Sequence, residues 1–224
     1  CLYHPPKVHI NDPLTKVAQF FIETKVHYLP VFDDKDQFLG IISARRLLSR
    51  FEKETDFKVK IEEILKNKKP LTVIYENDSV ASALNVFKST KFSKLVVVDS
   101  DFKLKGIFSY FDLIYYLMLP KDSPSKGARE GKKVNFFHQP VKNFMKTYVL
   151  TLTKENYLSE ALHLILEKKI GSVVILGEKR KPAGIITTRD LLKFFIQKEK
   201  EKEKPPVFRR FFKGIFPQES KLLL

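Results

Sequence analysis

Three stretches of 35 residues, 14–48, 80–114 and 158–192, repeat one pattern of apolar and polar positions without a gap. Each opens with apolar side chains at i, i+3, i+4 and i+7: Leu14, Val17, Ala18 and Phe21; Val80, Ala83, Leu84 and Phe87; Leu158, Ala161, Leu162 and Ile165. This spacing lines them along one side of a helix, so each stretch is predicted to begin with a helix that buries that side. A short apolar run follows, at 29–32, 95–98 and 173–176, then a polar turn, then a glycine (Gly40, Gly106, Gly184) with two apolar residues. That order predicts a strand, a hairpin turn and a second strand. The recurring glycine marks a place where the backbone needs close approach or unusual torsions. A second helix is expected to begin at Ser43, Ser109 and Thr187.

Upstream of each stretch lies another short apolar segment, at 7–10, 71–74 and 148–152, read as a first strand whose polar end caps the following helix. The second and third copies carry a small amphipathic helix before that strand, at 61–65 and 141–145. The first copy has no room for one, so an N-terminal portion is expected to be missing, in keeping with a chain that opens on Cys1. The expected class is α/β (α+β), with each repeat a small three-stranded sheet carrying two helices. The boundaries read as a first repeat at 1–52, a second at 56–119, a basic linker at 120–139, a third repeat at 140–197 and a basic aromatic tail at 198–224.

Composition narrows the picture in three places. No window approaches the roughly 18 consecutive apolar residues of a membrane span, and no signal-peptide pattern opens the chain, so a cytoplasmic location is expected. A single cysteine rules out an internal disulfide and zinc sites built on cysteine pairs. The net charge of +15 raises nucleic acid or an anionic membrane as partners, but nine of those excess charges fall within 120–147 and 198–224. A solvated linker and tail account for charge placed there. In the tail, Phe208, Phe211, Phe212 and Phe216 beside Arg209, Arg210 and Lys213 form a candidate grip for a membrane surface or a partner's groove.

The apolar run, acidic turn, glycine, two apolar residues and Ser/Thr-x-x-Asp read LVVVDSDFKLKGIFSYFD in the second copy and VVILGEKRKPAGIITTRD in the third. The first reads LPVFDDKDQFLGIISARR, with Arg46 where aspartate is expected. In this the chain resembles the CBS domain, the repeat named after cystathionine beta-synthase, which occurs in pairs called Bateman modules. The resemblance implies repeats paired into a disc, with clefts that bind adenosine-containing ligands such as AMP, ADP, ATP or S-adenosylmethionine. It implies Asp112 and Asp190 as acceptors for the two ribose hydroxyls, with Ser109 and Thr187 on the phosphate side. By the same resemblance Ser93 and Lys94 of the second copy, and Lys169, Ile170 and Gly171 of the third, supply further contacts; Lys94 is the candidate phosphate cation. Thr72 and Thr151 are the candidates on the adenine side. Residue chemistry agrees, since a carboxylate accepts from two hydroxyls at once and an arginine accepts from none.

A purely structural account of the same residues stands beside this one. Ser109-x-x-Asp112 and Thr187-x-x-Asp190 fit a helix N-cap with an acidic residue in the first turn. His4, His9, His27, His138 and His163 are scattered without carboxylates at ligand spacing, so no metal site is expected. No phosphate loop, nucleophile elbow or catalytic triad is present in the sequence, so no enzyme activity and no required cofactor is expected. Three function classes remain: a regulatory module sensing an adenosine ligand and acting on an unknown target; a ligand-free interaction or oligomerisation scaffold; and nucleic-acid or membrane-surface binding through linker and tail. An odd number of paired-type repeats leaves one face for a missing fourth CBS repeat or a homodimer partner.

Overall fold

The computed structural model describes residues 6–52, 56–118 and 136–201; most of the expected linker and all of the aromatic segment of the tail lie outside the described residues. Three three-stranded sheets follow one another along the chain. They are β1 (Val8–His9), β2 (Tyr28–Phe32) and β3 (Phe38–Ser43); β4 (Val73–Tyr75), β5 (Lys94–Val98) and β6 (Leu104–Ser109); and β7 (Thr151–Thr153), β8 (Ser172–Leu176) and β9 (Pro182–Thr187). In each the middle strand in sequence is the middle strand in space, and the first strand joins it in parallel through a helix. Those crossover helices are α1 (Leu14–Thr24), α4 (Val80–Thr90) and α6 (Leu158–Glu167); α2 (Ala44–Phe51), α5 (Tyr110–Met118) and α7 (Thr188–Lys200) follow the last strands. The expected first strands begin one, two and three residues later than the apolar patterns suggest. Of the expected lead-in helices, α3 (Ile61–Lys66) forms, whereas 141–145 tightens to a 3-10 turn at Val141–Asn143.

Each crossover helix is followed by the same reversal, at the C-cap of α1 and α4 and one residue beyond it in α6. Lys25, Lys91 and Lys169 occupy equivalent places and all have left-handed torsions, with φ of 59°, 57° and 53°. A reversal of this kind turns the chain back into the apolar strand without a glycine, and it leaves a cation at the negative end of the helix dipole.

The described residues divide into two compact units, and the third copy contributes to both. The first unit holds the whole first copy together with the helices of the third. Leu14, Val17, Ala18 and Phe21 of α1 are all buried, as the spacing predicts, and so are Leu47, Leu48 and Phe51 of α2. Phe51 stacks on Phe195 of α7 with ring centroids 3.4 Å apart, two residues at the same place in their respective repeats. The segment 57–60 crosses to the third copy, where Val59 accepts from the amide of Leu158 at 2.8 Å and Lys60 forms an isolated bridge with Tyr157.

The second unit holds the second copy with the strands of the third. Strand β5 is buried on both sides, which is why it reads as an unbroken apolar run. Its Leu95 and Val97 pack with Val80, Ala83, Phe87 and Leu113 from the helices. Its Val96 and Val98 face Val174, Leu176 and Ile185 from the third copy's sheet, so the second and third copies are paired through their sheets. The lead-in segments are exchanged across that pair. Residues 139–146 dock on the second copy: Val80 donates to the carbonyl of Gln139, Val141 to that of Asp78, and Lys146 and Ile107 exchange two backbone bonds of 2.8 and 2.9 Å. In return Glu62 donates to the carbonyl of Lys154, and the Lys68 Nζ to that of Ile185 at 2.6 Å.

The exchange explains two of the three repeat glycines. A Cβ on Gly106 would lie 2.6 Å from the Lys146 carbonyl oxygen and 2.8 Å from Met145 Sδ; one on Gly184 would lie 2.5 Å from a methyl of Leu65. In the first copy the reason is torsional instead, since Gly40 has φ of 149°.

Candidate functional site

In each copy the last strand runs straight into the second helix, and the residue at the junction caps it. Ser43, Ser109 and Thr187 are these junctions, one residue before the helices that the sequence pattern starts on them. Ser43 accepts from the amide of Arg46 at 3.2 Å, so the first copy makes its cap with no acidic residue in the turn. Capping therefore does not require the aspartates that the other two copies carry.

In the second copy Asp112 is 8% exposed. Its Oδ2 accepts from the Ser109 amide at 2.9 Å and from the Ser109 hydroxyl, while the Ser109 oxygen accepts from the Asp112 amide at 3.2 Å. The other oxygen, Oδ1, takes no part in the cap and lies 3.1 Å from the ammonium of Lys146. Lys94 stands directly across the ladder from Ser109, on the same side of the sheet, and the Ser93 carbonyl accepts from the Tyr110 amide at 3.0 Å. Ser93, Lys94, Ser109 and Asp112 are thus gathered at one end of the β5–β6 pair.

The third copy repeats the arrangement with different chemistry. Asp190 Oδ2 accepts from the Thr187 amide at 2.8 Å and from its hydroxyl at 2.7 Å. The Gly171 carbonyl accepts from both the amide and the hydroxyl of Thr188, at 3.1 and 3.2 Å, the counterpart of the Ser93 bond. Arg45 donates to the Lys169 carbonyl. Lys169, half-buried Ile170 and Gly171 form the turn into β8. Lys169 serves there first as the left-handed reversal shared with Lys25 and Lys91.

The two threonine candidates are not equivalent. Thr151 pairs with Val174, the place Val73 holds opposite Val96; Thr72 precedes β4 and corresponds to Leu150. In an extended chain a one-residue offset turns the side chain to the opposite face, so Thr72 and Thr151 do not serve one role in two copies.

Two residues in these clusters went unmarked in the sequence reading. Ser172 holds the place of Lys94 in the third copy; its hydroxyl is buried with no hydrogen-bond partner, and the register of the repeats alone would have pointed to it. Lys146 has no such signal, because it reaches Asp112 only through the exchange of lead-ins. Among the described residues there is no cluster of three metal-ligating side chains, and no helix is long and apolar enough to cross a membrane.

The family model of the CBS domain matches residues 3–53, 61–119 and 141–197. Protein MJ1404 of Methanocaldococcus jannaschii is 25% identical over 89% of this chain and 47% of its own length. A 33.4 kDa protein of Thermofilum pendens is 26% identical over 85% of this chain and 61% of its own. The chain thus spans about half to three fifths of the length of these relatives. Among solved structures, protein MJ1225 of M. jannaschii superposes with a TM-score of 0.72 at 20% identity, covering 86% of this chain and 67% of that one. The complex of CBSX2 with AMP superposes with a TM-score of 0.50 at 21% identity, covering 62% and 96%. Both are likenesses of fold.

Proposed function

Because the chain belongs to the CBS domain family, with three copies of the repeat, we propose that it is a regulatory module that binds an adenosine-containing small molecule and signals by shifting the balance between arrangements of its repeats. The observation that carries the reading is the division of labour at Asp112. One carboxylate oxygen completes the helix cap, and the other is directed to a partner outside it. A cap alone explains the first oxygen and not the second, and the first copy caps its helix with no carboxylate. Asp112 and Asp190, each with the hydroxyl of Ser109 or Thr187 beside it, are the ribose acceptors of this reading. Lys94 and Ser93 face the ligand in the second copy, and Ser172 joins Gly171 in the third. CBSX2 was solved with AMP, which makes AMP the first ligand to try. We assign the chain no catalytic step.

Calorimetric titration with AMP, ADP, ATP and S-adenosylmethionine tests this directly. At least one is expected to bind, and Asp112→Ala with Asp190→Ala is expected to weaken it by roughly a hundredfold, the loss of hydrogen bonds to charged acceptors. Silence from all four ligands, or an affinity unmoved in the double variant, refutes the reading.

One observation favours an assembly role alongside it. Leu48 and Leu192 are buried where α2 and α7 pack, and Phe194 and Ile196 are 8% exposed; their counterparts on α5, Tyr116 and Met118, are 38% and 76% exposed, with Phe111 and Tyr115 exposed beside them. We infer that this strip receives the helix pair of another CBS repeat, supplied by a second copy of the chain.

A further inference from the structure

The ion pair between Lys146 and Asp112 sits on the oxygen that a ribose needs. Asp112 Oδ2 is held by the Ser109 amide and hydroxyl, so a diol that binds the carboxylate through both hydroxyls must also engage Oδ1. Lys146 Nζ is 3.1 Å from that oxygen. Its two ends differ in freedom. The lysine backbone is fastened to Ile107 by two hydrogen bonds, in an approach that only Gly106 permits, whereas its side chain is 73% exposed against 9% for Asp112. The carboxylate is the fixed partner and the ammonium the movable one, swinging on an anchored stem.

We propose that Lys146 is a specificity-determining residue that competes with the ribose for Asp112 and, once displaced, pairs with an anionic group of the ligand. This rests on the reading of Asp112 as the ribose acceptor. A neutral nucleoside has to break the ion pair and offers the ammonium nothing in return. A phosphorylated nucleoside replaces one carboxylate partner with another anion, within the sweep of a side chain whose root does not move. The second copy's site therefore admits anionic ligands and turns away neutral ones of the same shape. The matching lead-in of the second copy places its lysine at the equivalent position, with Lys68 Nζ donating to the Ile185 carbonyl.

The test compares AMP with adenosine by calorimetry on the whole chain carrying Asp190→Ala, with Lys146 present, as Lys146→Gln and as Lys146→Arg. Glutamine is expected to tighten adenosine by about threefold and to shrink the preference for AMP by about tenfold, the scale of one close charge pair; arginine is expected to keep the preference. A preference unchanged within twofold in the glutamine variant overturns the proposal, as does an equal weakening of both ligands, which marks a structural role. Asp112→Ala separates the levels: if it leaves AMP binding intact, the ribose reading itself fails, and if it abolishes binding while Lys146→Gln leaves the preference alone, only the competition fails.

Discussion

Arg46 and Lys91 illustrate how a single position can be read for stability apart from any ligand. Ser43 caps α2 with no acidic residue in the first turn, so Arg46→Asp is expected to complete a capping box and raise stability by about 0.5–1 kcal/mol, measured by urea denaturation. Lys91 sits at φ 57°. Lys91→Gly is expected to be neutral or stabilising by up to about 1 kcal/mol, and Lys91→Val to cost about 1–2 kcal/mol, because a β-branched side chain collides with its own backbone in that region. The three lysines with left-handed torsions could not have been singled out from sequence, since glycine or asparagine is the usual signal for such a turn. Asp112 and Asp190, by contrast, were legible, because position within a repeated pattern marked them and their local geometry follows from the helix cap alone.

At the scale of elements, periodicity predicted most of what formed. Every apolar position named for α1 and α6 is buried, and the glycine appears in each final strand. What periodicity did not carry was where the lead-ins go. An amphipathic segment announces that it has a face to bury, not which sheet will bury it, and here α3 and the turn at Val141–Asn143 each cover the other copy. Lys146 was invisible for that reason. The contacts at the two glycines yield a graded prediction. Gly106→Ala meets a backbone carbonyl and is expected to cost about 1–3 kcal/mol, whereas Gly184→Ala meets the end of the Leu65 side chain, which can turn aside, and is expected to cost less than about 1.5 kcal/mol. Leu65→Ala should offset part of the second cost and none of the first, a coupling that a double-mutant cycle would register.

For the whole molecule, the exposed strip on α5 has a measurable consequence. Sedimentation velocity of the 224-residue chain is expected to show concentration-dependent self-association, and Tyr115→Glu with Met118→Glu is expected to abolish it while leaving the melting temperature within a few degrees, since both side chains are exposed. A monomer at every concentration tested refutes the assembly role.

The exchanged lead-ins also bear on how such a protein comes off the ribosome. The outer edge of β6 offers the amide and carbonyl of Ile107 to a partner that is translated only after the basic linker. Until Lys146 emerges, the second copy has an open strand edge and no lid over Gly106, and a nascent chain in that condition invites proteases and chaperones. Cutting the gene between the second and third copies therefore leaves the upstream product without the piece that seals it, and a repeat boundary drawn on the sequence is a poor place for a domain boundary drawn by stability.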